Sequence, residues 1–172
     1  MIDPLIAPPA PIERDAPVSA PSVWAAGFAA GLVAAAAVTG LLMGIGRRAG
    51  TAFRPLNATA AVLIGTRADD VWGFDAFVTI VGVVVVLALS TLAGTIVARL
   101  SPSFRTLRTV FAAAGVAFVG YLLHVNVAAR MNVGLSALLS VGELRALYVT
   151  VASALVLGMR FAFSTGTSSE RV

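Results

Sequence analysis

The sequence predicts an all-α fold: an integral membrane bundle of four transmembrane helices with a short interfacial helix between the first two. Composition is the first observation, because 59% of the 172 residues are hydrophobic and 12% are charged, against about a quarter charged in soluble domains. The mean hydropathy of +0.95 is the second. The third is a pattern of four long apolar runs, close to the roughly 20 residues that a membrane span requires. Such a chain needs an apolar solvent.

Three segments follow from this pattern: a proline-rich extended tail at 1–21, a transmembrane domain at 22–163 and a polar C-terminal tail at 164–172. The first segment holds six of the eight prolines, and proline disfavours helix because it lacks a backbone donor. Glu13 and Asp15 stand where a secretory signal peptide would carry a basic region. The first apolar run is therefore expected to be a retained span.

The spans are expected at about 22–46, 74–98, 107–129 and 142–163. Tryptophan and arginine at their ends support these limits, because both anchor helices at the membrane boundary. The fourth span is the weakest, since it reaches full length only if Arg145 and Arg160 extend to opposite interfaces. Ser140 and Glu143 have capping-box spacing, which predicts a helix that starts near Val141.

Residues 47–73 contain a short apolar stretch after Pro55, well below the length of a span. An interfacial or re-entrant helix is expected there. Asn57-Ala-Thr59 matches a glycosylation sequon, but the pattern is short and is interpreted as accidental.

Small residues recur at a spacing of four in the first two spans, which predicts close helix packing because flat backbone lets a neighbouring helix approach. The partner helix is left open and belongs either to this chain or to another one. The predicted packing residues are Gly27, Gly31, Gly40, Gly44, Ser90, Gly94 and Ala98.

His124 is the candidate cofactor residue, because it is the one histidine and Gly120 lies one helical turn before it. A neutral imidazole beside a flat patch can ligate the metal of a tetrapyrrole such as haem or (bacterio)chlorophyll. The alternative is a histidine that hydrogen-bonds a backbone carbonyl or a lipid headgroup. We therefore expect no cofactor, and the one candidate that the sequence offers is a tetrapyrrole at His124.

Other chemistry is poorly supported. The chain has no cysteine, which excludes thiolate sites and thiol catalysis. All eight acidic residues lie in tails, loops or span ends, whereas proton-coupled transport uses ionisable groups inside the bilayer. No catalytic or metal-binding cluster is recognisable, so an enzyme is not expected. The twelve arginines are dispersed at span ends rather than clustered, so nucleic acid is not an expected partner.

These observations favour a non-catalytic accessory subunit that packs against other membrane proteins and lipid in a larger complex, such as a photosynthetic or respiratory one. The alternative is a small homo-oligomeric transporter or channel. A bacterial inner membrane is the expected location, with both termini on one side. Six arginines fall on each side, so the positive-inside rule is tied. The arginines around the link at 99–108 favour cytoplasmic termini.

Overall fold

The computed structural model describes residues 22–128, 130 and 135–165, which are helical and contain no strand. The tail at 1–21 and residues 166–172 of the C-terminal tail lie outside the described residues. A 3₁₀ turn and a π-helical turn interrupt the helices at Thr66–Ala68 and His124–Ala128. The α-helices are α1 Val23–Arg48, α2 Arg54–Ile64, α3 Ala76–Leu100, α4 Thr106–Leu123, α5 Leu135–Leu138 and α6 Val141–Thr165.

Four helices in the described residues, α1, α3, α4 with its π-helical extension, and α6, are long and apolar enough to cross a membrane. The predicted fold class is therefore confirmed. The start of α6 is also confirmed, because Ser140 and Glu143 form the expected capping box. The Ser140 backbone N–H donates to Glu143 Oε2 at 3.0 Å, and the Glu143 backbone N–H donates to Ser140 Oγ at 3.3 Å.

Helix α1 is the centre of the bundle, with α3 and α6 packed along it. Ala26, Ala30 and Ala34, one turn apart on α1, are completely buried. Alanine has a small side chain, so alanines at this spacing let neighbouring helices approach the α1 backbone closely on more than one side.

Helix α4 packs mainly on α6 and makes a smaller contact with α3. The short link between α3 and α4 predicts that they are close neighbours, but a short link fixes only their ends. The faces of α3 that carry small residues are covered by α1 and α2, with Gly94 against α1 and Gly82 against α2. The larger interface of α4 is consequently with α6.

The short helix between the first two spans is present as α2. It is buried within the bundle along the seven consecutive residues Pro55–Ala61. It packs against α3 and the end of α1, and only its last turn exposes apolar side chains, those of Val62 and Leu63. Helix α2 is thus held mainly by its contacts with neighbouring helices.

Candidate functional site

The crossing of α1 and α3 brings together glycines from both helices. A Cβ added to Gly27 would lie 2.7 Å from the Cα of Thr95, and one added to Gly31 would overlap the Cα of Thr91. One added to Gly94 would overlap the carbonyl oxygen of Gly27. The contact pairs run in opposite directions along the two helices, so α1 and α3 are antiparallel.

The other small residues predicted on α3 lie on the same side of this helix. Ser90 is buried, and its carbonyl oxygen is 2.9 Å from the Cβ position of Gly31. Ala98 is 1% exposed and belongs to the core cluster that contains Ala26 and Ala30. Gly27, Gly31, Ser90, Gly94 and Ala98 therefore contribute to one interface within the chain.

Gly40 and Gly44 differ from these residues. A Cβ added at either position would have no other heavy atom within 4 Å in the described part of the chain. Both glycines are exposed, and Ala36 is exposed one turn earlier on the same face of α1. We call Ala36, Gly40 and Gly44 the open face of α1. None of the described helices of this chain covers it.

Further glycines make close contacts that the sequence analysis missed, among them Gly158 and Gly82. A Cβ on Gly158 of α6 would lie 2.5 Å from the Cα of Ala30. Ala154 and Gly158 have the same four-residue spacing, which could have identified this face. A Cβ on Gly82 of α3 would overlap the carbonyl oxygen of Leu56 in α2. Gly82 does not belong to a run of small residues at a spacing of four. Its neighbour is the short helix α2, and the contact is too short to need such a run.

His124 lies where α4 passes into its π-helical turn. Its Nδ1 is 3.1 Å from the hydroxyl oxygen of Tyr148 on α6, and the two rings meet edge to face with centroids 6.0 Å apart. Its Nε2 is buried and has no hydrogen-bond partner among the described residues. The described partner of Nδ1 is therefore a phenol, and a partner for Nε2 stays a prediction.

Gly120 provides space for the same tyrosine. A Cβ on Gly120 would lie 2.9 Å from Cε1 of Tyr148, so the tyrosine ring occupies the flat patch that a tetrapyrrole would need. Tyr121 packs edge to face on Tyr148 as well, at 5.8 Å. The arrangement forms a contact between α4 and α6, and a tetrapyrrole at His124 stays a prediction. The described residues also contain no group of three or more potential metal ligands.

A buried polar cluster joins α2, the loop that follows it and α3. The side-chain amide of Asn57 donates to the carbonyl oxygens of Val71 at 2.9 Å and Gly73 at 2.8 Å. Its oxygen accepts from the hydroxyl of Thr79 at 2.8 Å. Asn57 is 0% exposed, so the sequon nitrogen is fully engaged inside the protein. This geometry agrees with the interpretation of the sequon as accidental.

Thr59, two residues after Asn57 on α2, extends the cluster. Its hydroxyl lies 2.6 Å from the carbonyl oxygen of Leu56 and 3.0 Å from that of Gly82. Buried polar groups need partners because an unpaired one costs about 1–3 kcal/mol. The cluster gives these groups partners and thereby fixes α2 against α3.

Comparisons of this chain with protein-family models, with curated proteins and with solved structures each gave no match. The inferences about function below accordingly rest on the geometry of the chain itself.

Proposed function

We propose that this protein is a non-catalytic accessory subunit of a larger membrane complex, and that its open face on α1 packs against a helix of another subunit. One observation carries the proposal: the Cβ positions of Gly40 and Gly44 have no neighbour within 4 Å among the described residues. The other close-spaced glycines of α1, Gly27 and Gly31, lie against α3. The same sequence pattern on one helix thus has an internal partner at one end and, within the described part of the chain, none at the other.

Glycine inside a helix costs about 1 kcal/mol relative to alanine, because the unfolded chain loses more freedom. At Gly27 and Gly31 close packing offsets this cost. Gly40 and Gly44 face the surroundings of the chain, where lipid contact alone offers no comparable compensation. A helix of another subunit would offset the cost of these glycines, because small residues let the two backbones approach closely enough for strong dispersion contacts.

The exposure of α4 supports the same reading. Only 11% of its span is buried inside the chain, against 33–39% for the other spans. Phe111 and Phe118 are 69% and 60% exposed, and a Cβ on Gly115 would meet no atom of the described residues within 4 Å. A helix covered on so little of its surface is consistent with a bundle that is completed by neighbouring subunits.

A homo-oligomeric transporter or channel is the second candidate, and it would use the open face for another copy of the chain. Two features disfavour it. The described acidic residues are Asp69, Asp70, Asp75 and Glu143, all at span ends or in loops. Among the span hydroxyls, Thr95 donates to its own helix, to the Thr91 carbonyl oxygen at 2.9 Å, which is typical of a helix-bonded hydroxyl rather than of a pore lining.

Native mass spectrometry of the protein, extracted from its own membranes in mild detergent, separates the two candidates. We expect a fixed stoichiometry with one or more different chains. A particle that contains only copies of this chain would contradict the accessory-subunit proposal and favour the transporter or channel.

We also propose that both termini face the cytoplasm. The end of the bundle formed by the α3–α4 link carries exposed Arg99, Arg105, Arg108 and Arg160. Three of these arginines lie around the short link at 99–108, which contains no acidic residue. This local cluster supports the cytoplasmic side under the positive-inside rule. Location in the bacterial inner membrane stays a prediction.

A further inference from the structure

A small cavity lies where α1 ends and α2 begins, closed on a third side by α5. Its volume is about 80 Å³. Ile45, Leu138 and Leu139 form apolar walls, and Thr51 and Arg54 also line the cavity. The lining thus combines apolar residues with one basic residue. It shares no residue with the open face of α1.

Arg54 has an unusual environment for a cation in a membrane protein. Its guanidinium carbon lies 3.7 Å from the centroid of the Trp72 ring, which is a cation–π contact. Its Nε is buried and has no hydrogen-bond partner among the described residues. A buried donor on a charged group is costly when unpaired, so an acceptor is expected at this nitrogen.

The surroundings indicate which acceptor is suitable. Arg47 and Arg48 are exposed in the last turn of α1, immediately beside the cavity-lining residues Gly46 and Ala49. Trp72 is the kind of residue that marks the membrane boundary. Asp69 also has a buried oxygen without a partner, Oδ1, but Asp69 does not line the cavity. An acceptor here would carry negative charge, lie at headgroup depth and be attached to an apolar body.

We propose that this cavity binds the phosphate group of an anionic phospholipid. Arg54 donates from Nε and a terminal nitrogen to two phosphate oxygens, the paired geometry in which guanidinium recognises phosphate most strongly. Arg47 and Arg48 add positive charge at the rim, and the acyl chains lie against the apolar walls. Basic pockets between membrane helices are suited to acidic headgroups for these reasons.

The test is thermal unfolding of the full-length chain, purified in detergent and depleted of lipid. Mixed micelles with phosphatidylglycerol should raise the melting temperature by about 5 °C. Micelles with phosphatidylcholine, and inorganic phosphate without lipid, should give no comparable rise. Phosphate as effective as phosphatidylglycerol would identify a free anion as the ligand and overturn the lipid assignment.

Arg54→Gln removes the charge and should abolish the rise. Arg67→Gln is the matched control, because Arg67 is exposed on the 3₁₀ turn and does not line the cavity; this variant should respond like the unchanged protein. An equal response from Arg54→Gln and Arg67→Gln would overturn the proposal. If Arg54→Gln fails to fold, Arg54→Lys keeps the charge but has no Nε–Nη pair. Native mass spectrometry should then find its retention of phosphatidylglycerol reduced about tenfold, and undiminished retention would contradict the site.

Discussion

Individual glycines determine how closely the helices of this protein approach. Gly82 is the clearest case, because the carbonyl oxygen of Leu56 occupies the space that a Cβ would need. Backbone cannot move aside as a flexible side chain can. We therefore expect Gly82→Ala to separate α2 from α3 and to lower the free energy of unfolding by about 1–3 kcal/mol. Thermal unfolding in detergent measures the effect.

Gly115→Ala is the matched control, since Gly115 lies in α4 with open space around its Cβ position. It should be neutral or slightly stabilising, because alanine favours helix. Equal melting temperatures for the Gly82 and Gly115 variants would show that α2 and α3 are not in close backbone contact at Gly82.

Asn57 provides the second prediction at this scale. Asn57→Ala leaves the carbonyl oxygens of Val71 and Gly73 and the hydroxyl of Thr79 without their buried partner. We expect a loss of about 1–3 kcal/mol in the free energy of unfolding. Asn126→Ala is the control, because Asn126 is exposed and makes a hydrogen bond only to Leu122 of its own helix among the described contacts. A control variant as unstable as Asn57→Ala would argue against a special role for the buried cluster.

Residue identity alone could not predict the surroundings of His124. The sequence correctly indicated a flat patch at Gly120, because glycine has no side chain and lies one turn away. It could not indicate what covers the patch, since Tyr148 comes from α6, 24 residues further on. Pairing between distant helices is a tertiary property that a local motif does not contain.

At the scale of helices, two pairs of glycines on α1 have the same spacing and different surroundings. Gly31→Leu should destabilise the isolated chain, because the added side chain forces α1 away from Thr91. Gly40→Leu should leave the melting temperature of the isolated chain unchanged within about 2 °C, since its Cβ position is open. Gly40→Leu should nevertheless lose partner subunits on extraction. Unchanged retention of partners by Gly40→Leu would indicate that the open face contacts lipid.

The limits of the spans could be predicted well from the sequence. Apolar length, the Ser140–Glu143 capping box and terminal arginines act locally, and the observed spans begin and end within a few residues of the expected ones. The packing of α2 could not be predicted in the same way. Its burial depends on hydrogen bonds from Asn57 to carbonyl groups 14 and 16 residues away. It also depends on Gly82, whose missing side chain leaves space for the carbonyl group of Leu56.

At the scale of the whole molecule, the absence of cysteine allows a direct test of orientation. Ser103→Cys and Asp70→Cys each place one thiol at an exposed position on opposite ends. In intact spheroplasts, a membrane-impermeant maleimide should label Asp70→Cys and not Ser103→Cys. Both should react after the membrane is permeabilised. The reverse pattern in intact spheroplasts would place the termini outside.

The central claim is that the open face of α1 packs on a different protein, and site-specific photo-crosslinking in native membranes tests it most directly. A photoreactive residue at position 40 should form one dominant adduct with a single, reproducible chain of different mass. The control carries the photoreactive residue in place of Val84, which is 50% exposed on α3. This control should react with lipid. Adducts at position 40 with lipid alone, or with a second copy of this chain, would contradict the account.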